Sequence, residues 1–217
     1  MAIKRQSPYI WVTWLTRLIV GDYSCEWGAW FRTQHENNSW DKVPSSFDQT
    51  AWLLQHAELV RKVQSELEET GRPVFIENQN HFALRGSVAT LGGKPDIIST
   101  LDGKGIIIDA KTGKPNPYHH VQVMVYMYAV PLSLRQYLGM SFDGKVVYQD
   151  HDINIPHSAV DDNFIENMSN LIKRLASTTP ARKVPNIVEC GFCDITPTDC
   201  QERITSNSSE AGETFDF

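Results

Sequence analysis

The spacing of apolar residues changes several times along the chain, and each change marks a different element. Over residues 7–20, after Ser7-Pro8, Trp11, Trp14, Leu15 and Leu18 recur every three or four positions, which predicts an amphipathic helix. Residues 47–70 predict the clearest helix, with Trp52, His56, Leu59, Val63 and Leu67 on one face and Gly71 ending it. The period then shortens. Residues 74–84 read as a strand, 97–101 as a second and 105–111 as a third, with Asp102-Gly103-Lys104-Gly105 as the turn before the third. Proline and glycine over 113–117 break the chain before a helix at 118–129. Further on, Asp143-Gly144 between 135–142 and 145–148 carries a hairpin signal, and 158–177 reads as a helix. Helices, a meandering sheet, a crossover helix and further strands predict an α/β domain with a mixed central sheet flanked by helices. No internal repeat is visible.

The third strand carries the chemistry. Ile106, Ile107 and Ile108 are apolar on both faces, as in a strand buried mid-sheet. Side chains alternate along a strand, so Asp109 and Lys111 point to one side. Unpaired buried charge is costly, so that side must face a polar cleft. Gly93-Lys94-Pro95-Asp96 enters the preceding strand. Two acids and a lysine therefore meet at the mouth of a hairpin. Taken singly, Asp96 also fits a turn, Lys111 a solvated strand end, His56 a satisfied core histidine and Tyr126 core packing.

At 217 residues, 41% apolar and 10% aromatic, the composition suits one soluble domain with a sizeable core. No segment approaches membrane-spanning length, and the charged start lacks an apolar signal core, so a cytoplasmic location is expected. In that compartment four cysteines argue for metal or cluster ligation over disulfides. Cys190 and Cys193 alone fit zinc, redox or iron–sulfur roles. The formal net charge of −6 runs against the usual basic bias of nucleic-acid proteins, so binding would need a local patch. Arg61, Lys62, Lys114, Lys173, Arg174, Arg182 and Lys183 are candidates for it.

Pro95-Asp96 followed by Asp109-Ala110-Lys111 resembles the signature of the PD-(D/E)xK nucleases. Gln122 and Tyr126 match the Gln-x-x-x-Tyr element of its RecB-like exonuclease branch. His56 sits where that branch carries a metal-binding histidine. Cys25 with Cys190, Cys193 and Cys200 resembles the iron–sulfur frame of CRISPR-associated adaptation nucleases. The departures are Ala110-Lys111-Thr112-Gly113, where an aromatic residue is common, and the lack of any helicase part.

The resemblance implies a restriction-endonuclease-like core over residues 1–203, and the polar run Asn207-Ser208-Ser209-Glu210 reads as part of a disordered tail at 204–217. It implies a Mg2+ or Mn2+ ion on Asp96, Asp109, the Ala110 carbonyl and His56, with Lys111 orienting the attacking water. Gln122 and Tyr126 would position substrate phosphate or the lysine. The four cysteines would hold a [4Fe–4S] cluster, with zinc as the other occupant, clasping the two ends of the domain behind Trp27, Trp30 and Phe192. The implied activity is that of a metal-dependent exonuclease on single-stranded DNA or DNA ends. It would serve end processing or CRISPR spacer acquisition, with an integrase or helicase as partner. The alternatives are a catalytically silent nucleic-acid-binding or assembly module of the same fold, and a zinc-stabilised restriction-type endonuclease.

Overall fold

Ile97, Ile98, Ile107 and Ile108 are at most 1% exposed, because the hairpin that carries them lies in the middle of a sheet covered on both faces. This is seen in a computed structural model that describes residues 2–205. Strands β5 (Ile97–Leu101) and β6 (Lys104–Ala110) pair antiparallel, Ile97 opposite Ile108. The hairpin turns on Asp102 and Gly103, both at positive φ, where glycine is at ease. β7 (Ser141–Val147) joins β6 in parallel, and β2 (Val74–Ile76) and β8 (Asp152–Ile155) close the edges in the order β2-β5-β6-β7-β8.

Alternation along the strands decides which helix each side chain meets. Leu59, Val60 and Val63 of α3 (Gln49–Glu69) pack with Ile97, Ile108, Ala110 and Val147 on one face. Ile98, Ile107 and Val146 belong to the larger core on the other face, under α4 (Pro117–Ser133). The Asp48 carboxylate caps α3 by accepting the Ala51 N–H at 3.0 Å, and Gly71 leaves the helix at φ 74°. α3 and α4 thus match the helices expected at 47–70 and 118–129. α5 (Asp162–Ala176) does the same for 158–177, burying Phe164, Met168, Leu171 and Leu175 along one stripe.

Three expectations are corrected. The segment 7–20 is not all helix: Tyr9–Trp11 forms strand β1 and only Val12–Ile19 is helical (α1). β1 pairs in parallel with β4 (Thr90–Gly93), in a second sheet ordered β1-β4-β3. β4 escapes sequence reading because its paired glycines resemble a turn. They are glycines for want of space, since a Cβ on Gly93 would lie 2.7 Å from the Phe82 ring and 2.8 Å from that of Tyr126. The strand expected at 74–84 is broken at Glu77 (φ 41°) into β2, a short 3-10 turn and β3 (Phe82–Arg85), which belong to different sheets.

The hairpin expected at Asp143-Gly144 is absent. β7 runs straight through both residues, which sit opposite Ile106 and Ile107. Gly144 is small because α4 presses on it: a Cβ there would lie 2.5 Å from Val123 and 2.6 Å from the Met127 sulfur. α2 (Trp27–Gln34) and α6 (Ile187–Phe192) complete the helices named here. No helix among the described residues is long and apolar enough to cross a membrane. The tail expected at 204–217 lies outside the described residues from 206 onward.

Candidate active site

β6 delivers Asp109 to the α4 side of the sheet, where it is 2% exposed. Two residues on, Lys111 lies on the same side, its Nζ 2.6 Å from Asp109 Oδ2. α4 supplies Gln122, whose Nε2 donates to Asp109 Oδ1 and to the Tyr126 hydroxyl, each at 3.0 Å. Its Oε1 accepts from Lys111 Nζ at 3.1 Å. Gln122 and Tyr126 meet because residues four apart share a helix face. One amide therefore holds the carboxylate and the ammonium at once.

Asp96 arrives from the loop before β5. Its Oδ2 accepts the Ala110 N–H at 2.8 Å and lies 3.1 Å from His56 Nε2, brought across by α3. Asn80, 0% exposed, steadies that loop by donating to the Phe75 and Pro95 carbonyls. The structure thus brings together Asp96, Asp109, Ala110, Lys111, Gln122, Tyr126 and His56. Sequence reasoning missed Asn80, which carries no signal beyond its place in a polar run.

Burial pushes the Asp109 carboxyl up to about 6 against the opposing pull of Lys111. Burial also disfavours the Lys111 ammonium, but Asp109 and Asp96 outweigh it and hold Lys111 above its ordinary value. The hydrogen bond to Asp96 holds His56 above its usual value, against burial. Desolvation drives Tyr126 well upward, so its hydroxyl stays protonated.

The donor set fits a hard divalent ion: two carboxylates, a backbone carbonyl and an imidazole. Asp109 Oδ2 accepts no well-aligned hydrogen bond among the described residues, only the close ion pair with Lys111. No three His, Cys, Asp or Glu side chains among the described residues converge tightly enough to hold one ion as they stand. Here Lys111 and His56 already lie against the carboxylate oxygens.

Beside Lys111 and Gln122 opens a cleft of about 350 Å³, walled also by Arg17, Trp52, Tyr118 and His119. His119 is neutral at pH 7, because burial and then Lys111 lower it to about 4. Its Nδ1 lies 2.9 Å from the Tyr148 hydroxyl. None of these four was assigned a role from sequence. Trp52 could have been found, since it stands one turn before His56 and stacks on it at 5.1 Å.

All four cysteines are free and line a second cavity of about 400 Å³. Arg17, Arg32, Lys183 and Arg203 line it too, Arg32 being ion-paired with Asp194 at 2.6 Å. Four thiols are the donor set of a four-thiolate centre, but as they stand they do not converge on one point. Burial raises the Cys200 thiol above its ordinary value. Glu189, also missed, ties the two ends together without sulfur. Its carboxylate accepts the backbone N–H groups of Ser24 and Cys25, both at 3.0 Å. Trp27 and Phe192 line this cavity, Phe192 while 73% exposed, whereas Trp30, also expected there, is not among its lining residues. Of the expected basic patch, Arg174 and Lys183 are paired with Glu26 and Glu202 at 2.7 and 3.1 Å.

A solved structure described as the crystal structure of SSO0001 is 19% identical to this chain and has a TM-score of 0.46. The match covers 93% of this chain and 89% of that one. No curated protein sequence matches. The family model of the PD-(D/E)XK nuclease superfamily matches residues 27–198, which span Asp96, Asp109, Lys111 and the mixed sheet that carries them. The chain belongs to the PD-(D/E)XK nuclease superfamily.

Proposed function

We propose that the protein is a metal-dependent DNA exonuclease acting on single strands or DNA ends, in end processing or CRISPR spacer acquisition. The observation that carries this is the closed network of Asp109, Lys111, Gln122 and Tyr126, two members of which, Lys111 and Gln122, line an open cleft. A silent module has no need of Asp96, Asp109 and Lys111 held together in one place. Asp96, Asp109, the Ala110 carbonyl and His56 would hold Mg2+ or Mn2+. When bound, such an ion neutralises phosphate charge and activates water. Lys111, held by Gln122, presents a fixed ammonium at the cleft. From there it orients the attacking water and offsets the charge that grows on the phosphate oxygens. Tyr126, kept protonated by burial, sets the rotamer of Gln122 through their shared hydrogen bond.

Cys25, Cys190, Cys193 and Cys200 would hold a [4Fe–4S] cluster in the second cavity. There it would reinforce the tie that Glu189 already makes between the two ends of the chain. Wild type and Asp109→Ala are compared on labelled single strands, linear and circular, in Mg2+ or Mn2+ and again with a chelator. Cleavage of linear strands that stops with chelator and is absent in the variant is expected. Undiminished turnover by Asp109→Ala in Mn2+ would sink the metal-site assignment. Efficient cutting of closed circles would instead make the protein an endonuclease, and binding without cutting would make it a silent module.

A further inference from the structure

The walls of the active-site cleft carry groups that the cleavage chemistry does not use. Trp52 is 37% exposed although one face of its indole lies on His56 at 5.1 Å and 29°. Phe47, 61% exposed, extends the aromatic surface outward at 6.2 Å from Trp52. An aromatic series thus leads from solvent through Trp52 to the histidine that touches Asp96. Trp52 itself walls the cleft beside Lys111 and Gln122, so part of this exposed aromatic surface opens onto it.

On the same cleft stands Arg17. Its neighbours are aromatic: Nη2 donates to the Tyr118 hydroxyl at 2.9 Å, and its guanidinium carbon lies 4.1 Å from the Tyr118 ring centre and 5.1 Å from that of Tyr23. These rings fix the guanidinium without cancelling its charge, and no carboxylate is ion-paired with it among the described residues. It lines both the active-site cleft and the cysteine cavity. A flat apolar face and an unneutralised, fixed guanidinium in one cleft, with Lys111 in the wall, match the alternating base and phosphate of an unpaired strand. A duplex keeps its base faces stacked internally and cannot offer them to an indole.

We infer that this cleft is a nucleotide subsite for single-stranded nucleic acid, in which Trp52 stacks on a base and Arg17 faces a backbone phosphate; the inference rests on the nuclease reading above. Stacking on an indole tolerates any base, so the site would select for unpaired strands and against no sequence.

The test compares wild type, Trp52→Ala, Trp52→Phe and Arg17→Ala on two probes of equal length: a thymidine oligonucleotide and the same strand built entirely of abasic residues. Binding is read by anisotropy of an end label, and cleavage by kcat and KM. On the thymidine strand Trp52→Ala should weaken binding and raise KM by about tenfold, the worth of one stacked base, and Trp52→Phe should recover most of that. On the abasic strand wild type and both Trp52 variants should agree within about twofold, since no base remains to stack. Arg17→Ala should weaken binding to both strands and reduce the slope of log affinity against log salt by about 0.7.

Equal losses for Trp52→Ala on both strands would overturn the stacking assignment and leave Trp52 as a prop for His56. An unchanged thymidine affinity would overturn it as well. An unchanged salt slope in Arg17→Ala would overturn the phosphate assignment. If wild type cuts neither strand, the nuclease reading fails, and the anisotropy comparison still decides the subsite.

Discussion

Replacing Gln122 by Leu keeps roughly the volume of the side chain and removes every polar contact it makes. Asp109 loses the donor on Oδ1, Lys111 loses an acceptor, and Tyr126 loses the amide proton at its hydroxyl. The first two are hydrogen bonds to charged groups, each worth about 1.5–3 kcal/mol. Leucine gives back some apolar burial, so the low end of the pair is expected, about 3 kcal/mol at pH 7.5.

The loss should depend on pH. The folded carboxyl of Asp109 lies at about 6, above its ordinary 3.8. An acid raised in this way favours the folded state most below its unfolded value and loses that contribution as pH rises through its folded value. Removing the Gln122 donor raises the folded value further, so Gln122→Leu should cost least at pH 5, where Asp109 is largely protonated, and most at pH 7.5. Urea unfolding at the two pH values measures both quantities, with the loss at pH 5 expected at roughly half that at pH 7.5. A loss that is equal at the two pH values, or below about 0.5 kcal/mol at pH 7.5, would refute the claim that this amide supports an ionised, buried Asp109.

On the proposed cluster assignment, Cys200→Ser should bleach visible absorption in protein purified without oxygen and raise protease sensitivity, because it would remove one ligand. Colourless wild-type protein with stoichiometric zinc would replace the cluster with zinc and leave the nuclease reading untouched. Gly144→Ala should cost about 1–3 kcal/mol in the same urea assay, because its methyl meets Val123 and Met127 at 2.5 and 2.6 Å. A neutral result there would contradict the packing of α4 on β7.

Much of the site was legible in the chain. The isoleucine run ending in Asp109-Ala110-Lys111 specified a mid-sheet strand, and strand alternation alone put the acid and the lysine on one side, where they pair at 2.6 Å. Gly71 marked the end of α3 within two residues. Those signals are local: a cap, a period or a turn is decided by residues a few positions apart.

The remainder was decided by neighbours far along the chain. Asp143-Gly144 has hairpin chemistry, yet β7 runs straight because α4 needs the space above Gly144 and β6 offers a parallel partner. Gly92-Gly93 looks like a turn and is a strand between β1 and β3. Cys25 lines one cavity with Cys190, Cys193 and Cys200 through packing between distant parts of the chain, where Glu189 also accepts two backbone N–H groups from residues 24 and 25. Arg17 of α1 and Trp52 of α3 share a cleft with Lys111 only in the folded chain. A sequence by itself determines what a segment prefers through bonds within one or two turns. What stands opposite a glycine, a thiol or an indole is set by long-range packing, and only the folded chain brings those groups within contact distance.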